Sequence, residues 1–197
     1  MVEAKRNGNI VPRPIAVGEH VELALLGPSL AKEYLKLAIA NQDRLRAWFS
    51  WAKQEQTLEQ TTKYLEQVAL DHETQRGIHF GIFFNGKLIG QLSLTRIDAY
   101  HRSLNAGGWI DRNYEGKGHF FKVAEAALNY VFMDLGFNRV EVRAVATNER
   151  SHNLISILRK EGTLREAHRE YDRFMDVDVY GLLRSEWPDI MTKRGSK

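Results

Sequence analysis

The chain has 197 residues, of which 43% are hydrophobic and 27% are charged. These proportions are ordinary for a globular protein and argue against a disordered, fibrous or membrane protein. The length suits one full core and is short for two, since domains commonly run about 100 to 200 residues. We therefore expect one domain at 19–188, between a flexible N-terminal tail at 1–18 and a flexible C-terminal tail at 189–197.

The net charge and the N-terminal residues bear on which partners and which location the sequence predicts. Lys and Arg number 28 against 25 Asp and Glu, a net charge of +3 that indicates no nucleic acid without a clustered basic face. The isoelectric point of about 9.1 is the only feature that would favour a nucleic-acid-binding module, and we set that hypothesis aside. Charges at Glu3, Lys5 and Arg6 interrupt the start, so we expect neither a signal peptide nor a membrane partner, and a cytoplasmic location.

The chain has no cysteine, which excludes a disulfide framework, thiolate metal ligands and a cysteine nucleophile. The histidines show no His-x-x-x-His or His-Cys spacing, so we expect no metal site. Any chemistry must use other groups.

In chain order, the patterns predict a strand at 19–26, a helix from Pro28, a helix at 57–70, strands at 79–84, 88–94 and 104–110, a helix at 118–135, a strand at 138–146, a helix from Arg150 and a β-rich end at 171–183. Asn85 and Gly86 predict a tight hairpin between two of the strands. Gly136 is placed to end the long helix. This strand-helix-strand order predicts an α/β domain with a crossover between parallel strands.

Three aromatic residues between the first two helices have two interpretations. Trp48, Phe49 and Trp51 could line a substrate pocket or fill the edge of a core, and core packing is the commoner role.

The segment Glu115-Gly116-Lys117-Gly118-His119 lies where a strand leads into a helix. Main-chain N–H groups and the positive helix end can face an anion there, and a pyrophosphate would suit them. The glycines let the main chain approach phosphate oxygens, and Lys117 adds positive charge. A two-glycine turn is more often only a tight connection, and this one matches neither the P-loop nor the dinucleotide fingerprint.

Several segments in order carry a family resemblance that spans about residues 19–187. They are Gly108-Trp109-Ile110-Asp111, Tyr114-Glu115-Gly116-Lys117-Gly118, Leu135-Gly136-Phe137-Asn138-Arg139-Val140-Glu141-Val142-Arg143, Asn148-Glu149-Arg150-Ser151, Glu161-Gly162-Thr163-Leu164-Arg165-Glu166-Ala167, Tyr171-Asp172-Arg173-Phe174 and Val179-Tyr180-Gly181-Leu182-Leu183. With these segments the chain resembles the GNAT acetyltransferases, and within them the RimJ/RimL branch that acetylates protein N-termini and related amines.

The resemblance implies a mixed, mostly antiparallel sheet, flanked by helices, whose strands four and five part to hold the pantetheine arm of acetyl-CoA. It implies an N-acetyltransferase that acts by direct attack of a primary amine, on a protein N-terminus such as that of a ribosomal protein or on a small molecule. A homodimer is a further expectation. The cofactor contacts that it implies are Trp109, Ile110, Glu115, Gly116, Lys117, Gly118, His119, Phe120, Asn148 and Ser151.

Catalytic roles follow from the same resemblance. Ser151 takes the position of the hydroxyl that protonates the leaving thiolate, although Asn148 and Ser151 would equally suit the start of a helix as caps. His168 stands where the branch often has a glutamate suspected of being the general base, and imidazole suits that task. Surrounded by charged neighbours, His168 is more often a solvated strand residue, and Glu170 is the reserve candidate for the base.

The chain also departs from the family pattern. A Leu-Gly-Phe triplet is missing between Lys160 and Glu161, so the last helix or the next strand must be shorter and a register shift could turn side chains over. Glu115 places a negative charge near the phosphates, which would weaken binding unless it points away. These departures motivate an alternative function, a non-catalytic CoA-binding or regulatory protein of the same fold.

Overall fold

The computed structural model describes residues 5–6, 9–10 and 13–195, with the side chains of 13–192. Its strands are β1 (Lys5–Arg6), β2 (Asn9–Ile10), β3 (Ile15–Ala16), β4 (Val21–Leu25), β5 (Gly77–Phe84), β6 (Lys87–Asp98), β7 (Ser103–Ile110), β8 (Arg139–Val145), β9 (Arg159–Glu170) and β10 (Arg173–Leu183). Its α-helices are α1 (Ala31–Leu45), α2 (Leu58–Glu73), α3 (His119–Asn129), α4 (Glu149–Ile155) and α5 (Trp187–Gly195). The predicted strands and helices appear in the predicted order, and α5 and the strands β1 to β3 are additional to them.

One mixed sheet of eight strands runs in the order β3-β4-β5-β6-β7-β8-β10-β9, and β1 and β2 form a separate pair. All neighbours are antiparallel except β7 and β8, which α3 joins by a crossover. Only three residue pairs connect these two strands, the last of them Asn105 with Glu141. Counted from β4 they are strands four and five, so the expected splay is confirmed.

Helices cover both faces of the sheet. Buried residues of α1 and α2, such as Leu37 and Leu65, form one core cluster with Trp109 of β7. Residues of α3, such as Val123, form the other cluster with residues of the sheet that include Leu104. Successive side chains of a strand point to opposite faces, which explains why β7 supplies both clusters.

The tight turns lie where glycine and asparagine predict them. Asn85 and Gly86 have φ angles of 50° and 74°, the left-handed pair that a two-residue hairpin requires. The helix predicted at 118–135 is α3 followed by one π turn at Tyr130–Asp134. Gly136, with φ of 71°, ends this segment as predicted.

The two predicted tails contain regular structure. Strand β3 lies in the segment 1–18, of which residues 1–4, 7–8 and 11–12 lie outside the described residues. Helix α5 covers most of 189–197, and its Ile190 and Met191 pack against the core. The flexibility of both tails stays a prediction. Across the described part of the chain, no helix has the length and apolar character needed to cross a membrane.

Candidate active site

A cavity of about 300 Å³ lies beyond the last β7–β8 pair, where the two strands diverge. Its walls are mostly apolar side chains of α3, α4 and α5 and of the two strands. Residues from β7 and β8 that line it are Ala106, Gly107, Gly108, Val142, Arg143, Ala144 and Val145. Asn148, Ser151 and His168 are polar residues in the same lining. The splayed strands thus open onto three of the predicted site residues.

The glycine loop before α3 exposes its main chain. Gly116 and Gly118 have φ angles of 71° and 76°, and a Cβ added to either would meet no atom within 4 Å. Gly118 is also the residue before the first turn of α3, which no side chain caps at that position. Open main chain at a helix N-terminus fits a phosphate group. The fit supports the loop as the place for the pyrophosphate of acetyl-CoA.

The side chains of this loop pack on one another. Lys117 Nζ donates a hydrogen bond to the Asn113 carbonyl at 2.7 Å and lies 5.6 Å from the Tyr114 ring. The His119 ring lies 5.1 Å from the Phe84 ring. Neither Lys117 nor His119 lines the cavity, whereas Phe120 does. The loop therefore presents mainly its backbone, while Lys117 keeps its positive charge at the turn.

Two arginines bind the carboxylate of Glu115. Arg44, at the end of α1, forms an ion pair with Oε1 and also donates from Nη2 to the Ile110 carbonyl at 2.6 Å. Arg150 of α4 donates to Oε2 at 2.6 Å. Burial lowers the pKa of Arg44, and the charge of Glu115 opposes that shift. Since both oxygens of Glu115 are paired, its negative charge is neutralised rather than directed at a bound phosphate.

Asn148 is the N-cap of α4, as one of the two interpretations predicted. Its Oδ1 accepts a hydrogen bond from the Ser151 main-chain N–H at 3.2 Å, and the residue is 9% exposed. Ser151 is not the cap. Its hydroxyl makes no hydrogen bond within the described part of the chain and lies in the wall of the cavity. The Ser151 hydroxyl is thus free to meet a ligand, and its catalytic role stays a prediction.

His168 lies on β9 opposite Met175, with its ring in the wall of the cavity. Its Nε2 is buried and has no hydrogen-bond partner among the described residues. An unpaired buried nitrogen is costly unless a ligand or water meets it. Glu170, two residues further along β9, does not line the cavity. The geometry therefore favours His168 over Glu170 as the group that meets a substrate.

The aromatic residues Trp48, Phe49 and Trp51 were predicted either to line a pocket or to pack in a core, and both roles occur. Trp48 and Phe49 line the cavity. The Trp51 ring instead lies 6.1 Å from the ring of Trp109, which is 6% exposed in the core between the sheet and α1 and α2. Ile110 is buried in the core on the other face. Only the main chain of Trp109 and Ile110 could contact a cofactor, and this role stays a prediction.

A half-buried hydrogen-bond network next to Ser151 was not predicted from the sequence. His152 Nε2 lies 3.2 Å and 3.1 Å from the carbonyls of Val145 and Ala146, so this nitrogen donates. Its Nδ1 then accepts from the Tyr180 hydroxyl at 2.7 Å. These bonds fix α4, and with it Ser151, against β8 and β10. The partners are up to 28 residues apart, and no local pattern joins them.

The position of the missing triplet, between Lys160 and Glu161, lies at the start of β9. Helix α4 has seven residues, whereas β9 begins at once with Arg159 and has 12. The β9–β10 pairing is irregular between Met175 and Val177, next to the residue opposite His168. A second irregularity lies between Val179 and Tyr180, which pair with Gly162 and Lys160, at the position of the missing triplet. Bulges of this kind change which side chains of a strand face the site.

Comparisons with known proteins agree with this geometry. Residues 22–159 match the family described as acetyltransferase (GNAT) domain. Bacillus subtilis (strain 168) YdaF, provisionally named a ribosomal N-acetyltransferase, is 32% identical over 178 residues, which cover 87% of this chain and 95% of that protein. The ribosomal-protein-serine acetyltransferase of Escherichia coli (strain K12) is 25% identical over 173 residues, 86% of this chain and 96% of that protein.

Solved structures share the fold. RimL, a ribosomal L7/L12 α-N-protein acetyltransferase in complex with coenzyme A, gives a TM-score of 0.83 at 20% identity and covers 87% of this chain and 98% of its own. MccE, a microcin C7 self-immunity acetyltransferase in complex with acetyl-CoA and AMP, gives a TM-score of 0.80 at 19% identity. The match covers 91% of this chain and 98% of the MccE chain. The family match and the YdaF relative favour an enzyme over the non-catalytic alternative. This chain belongs to the GNAT acetyltransferases, and it is an N-acetyltransferase that uses acetyl-CoA.

Proposed function

We propose that the enzyme acetylates the α-amine of a protein N-terminus, with a ribosomal protein as its acceptor. The observation that carries the reaction is that Ser151 and His168, from different elements, line one cavity, and that His168 Nε2 has no hydrogen-bond partner among the described residues. The choice of acceptor is supported by two relatives that are named for ribosomal acetylation and are similar over nearly their full lengths.

Acetyl-CoA would supply an acetyl group activated as a thioester, which an uncharged amine can attack directly. The main chain at Gly116 and Gly118 would hold its pyrophosphate, because no side chain blocks the approach. Asn148 and Ser151 would lie beside its arm, in the wall between the strands. Positioning of this kind accounts for much of the rate of a direct transfer.

His168 would accept the proton that the acceptor ammonium must lose before it can attack. Its ring lies in the wall of the cavity, and its buried Nε2 has no hydrogen-bond partner among the described residues, so its lone pair is not already engaged. The apolar walls formed by Trp48 and Phe49 would exclude water from this step. A histidine is effective here because it can be neutral at physiological pH.

The Ser151 hydroxyl would donate a proton to the sulfur that leaves. Asn148 caps the N-terminus of α4, the helix that carries Ser151. The hydrogen bond between His152 and Tyr180 holds the same helix against β10. Rigid support of this kind keeps a catalytic group within the narrow range of positions that transfer needs. A neutral hydroxyl suits the role because it is a donor and an acceptor at once.

Thiol release tests the proposal. The pure protein is incubated with acetyl-CoA and either peptides with free N-termini, amino acids, polyamines or aminoglycosides, and free thiol is compared with a protein-free control. Release that depends on peptides supports the proposal. Release that depends only on a small amine would assign the other acceptor class, and no release with any amine would oppose catalysis. The expected homodimer stays a prediction, which the molar mass in solution would test.

A further inference from the structure

A second cavity, of about 490 Å³, lies on the other side of the segment that carries Trp48 and Phe49. We call it the cationic pocket and define it by its charged and aromatic residues, Asp43, Arg46, Lys53, Arg112 and Tyr171. The only carboxylate in its wall, Asp43, is already paired with Arg112. Arg46 and Lys53 have no carboxylate partner within the described residues, so the pocket carries an excess of two positive charges.

The wall of the cationic pocket is fixed by hydrogen bonds. Gln42 Nε2, on α1, donates to the carbonyls of Ala52 at 3.1 Å and Gln54 at 2.8 Å. Lys53 Nζ lies 5.1 Å from the centre of the Tyr171 ring and 3.4 Å from the Arg169 carbonyl. The short turn at Ser50–Lys53 is thereby held both to α1 and to the β9–β10 hairpin. These contacts hold Lys53 in place, and Arg46 lies at the C-cap of α1.

Two chain segments contribute to both cavities. Phe49 lines the active-site cavity and Ala52 the cationic pocket, and three residues of a 3₁₀ turn span about 6 Å. On β9, His168 lines the active-site cavity, and Tyr171, which follows the strand, lines the cationic pocket. Three extended residues span about 10 Å. An extended peptide advances about 3.3 Å per residue. A peptide whose amine meets His168 would therefore bring its second to fourth residues to the pocket.

We propose that the cationic pocket binds a carboxylate side chain at the second to fourth position of the acceptor protein, so that the enzyme prefers acidic N-terminal sequences. This inference rests on the proposed function. The neighbouring acidic residues Glu170 and Asp172 belong to the hairpin but do not line the pocket, so they leave its charge uncompensated. A side-chain carboxylate has the charge and the acceptor oxygens that ammonium and guanidinium groups bind.

The test uses the full chain and sets of heptapeptides with a free N-terminus, identical except for Asp, Asn or Lys at position two, three or four. We expect kcat/KM to be about threefold to fivefold higher for Asp than for Asn at one position, the size of one exposed charge pair. Lys53→Glu or Arg46→Glu alone brings the excess charge of the pocket to zero and should abolish this preference, whereas the double variant should favour the Lys peptide. Arg76→Glu, which makes the same charge change at the far end of β5, should keep the preference for Asp.

The outcomes separate this inference from the proposed function. Equal rates for Asp and Asn at all three positions, or a preference that Lys53→Glu leaves intact, would overturn the inference while peptide acetylation stands. A lower affinity of Lys53→Glu for CoA would also overturn it, because the pocket would then serve the cofactor's phosphates. Failure to acetylate any peptide would instead contradict the proposed function. Loss of the preference in Lys53→Glu, with CoA affinity kept, supports the inference.

Discussion

Arg150 Nη1 donates a hydrogen bond to Oε2 of Glu115 over 2.6 Å, which links the helix of Ser151 to the loop that precedes α3. The two segments follow β8 and β7, the strands that diverge around the cavity. Arg44 binds the other oxygen of the same carboxylate from α1. Glu115 therefore connects its own loop with α1 and α4 at the open end of the splayed strands. Its two partners, Arg44 and Arg150, differ in how far their side chains are buried.

That difference predicts unequal losses of stability. The Arg44 side chain is 21% exposed and also bonds to the Ile110 carbonyl, so Arg44→Met should lower the free energy of unfolding by about 2 kcal/mol. The Arg150 side chain is 71% exposed, and Arg150→Gln should cost less than about 1 kcal/mol. Urea denaturation of both variants checks this, and equal losses would contradict the ranking.

Gly118→Ala should weaken CoA binding. A Cβ at φ of 76° strains the backbone by about 1 kcal/mol and lies where the phosphates would approach. Calorimetry should show a loss of affinity of about tenfold, equivalent to about 1.4 kcal/mol. Gly86→Ala is the matched control, because it places the same strain, at φ of 74°, in the β5–β6 hairpin. Equal affinities of the two variants for CoA would show that the glycine loop does not hold the cofactor.

Ser151→Ala should reduce kcat by about 100-fold, the lower range for loss of a proton donor. Affinity for CoA should change little, since the main-chain bond from Ser151 to Asn148 remains. Ser156→Ala removes a hydroxyl at the other end of α4, where it bonds to the Asn153 carbonyl outside the cavity. If both variants kept full kcat, another group must protonate the sulfur.

Two neighbouring histidines should make the fold sensitive to acid. His72 Nε2 accepts a hydrogen bond from the His79 main-chain N–H at 2.9 Å and must be unprotonated to do so. Burial lowers the pKa of His79, and burial with the nearby charge of His79 lowers the pKa of His72. The unfolded chain then binds more protons, so stability is complete above the ordinary histidine pKa of about 6.5 and falls as the pH drops below it.

Urea denaturation between pH 7.5 and 5.5 measures this effect. The wild type should lose stability over this range, and His72→Gln should lose less, because glutamine accepts the same bond without titrating. An identical slope for His72→Gln would contradict the assignment to this pair.

Local signals predicted the features that depend on a few adjacent residues. Asn85 and Gly86 define a hairpin because both need left-handed backbone, and Gly116 and Gly118 define the loop for the same reason. Arg44 and Glu115 are 71 residues apart, and neither residue type is unusual at its position. Their pairing, like that of His152 with Tyr180, depends on tertiary packing that no local pattern encodes.

The active-site cavity likewise combines features that the sequence predicted with features that depend on tertiary packing. The strand-helix-strand unit predicted the crossover, and the family resemblance predicted the splay between β7 and β8. Neither determined that His168 would have a buried and unpartnered Nε2, because this depends on an irregular pairing with β10 at Met175. The missing triplet predicted a possible register shift, and the structure has an irregularity opposite it, between Val179 and Tyr180.

The central claim is acetyl transfer to a protein N-terminus, and mass spectrometry of one peptide pair tests it most directly. The pair shares a sequence and differs only in whether its α-amine is free or blocked, and both are incubated with acetyl-CoA and the wild-type enzyme. We predict one added acetyl group, located by fragmentation on the first residue of the free peptide, and none on the blocked one. Equal acetylation of both peptides, or of neither while a small amine is acetylated, would contradict the claim.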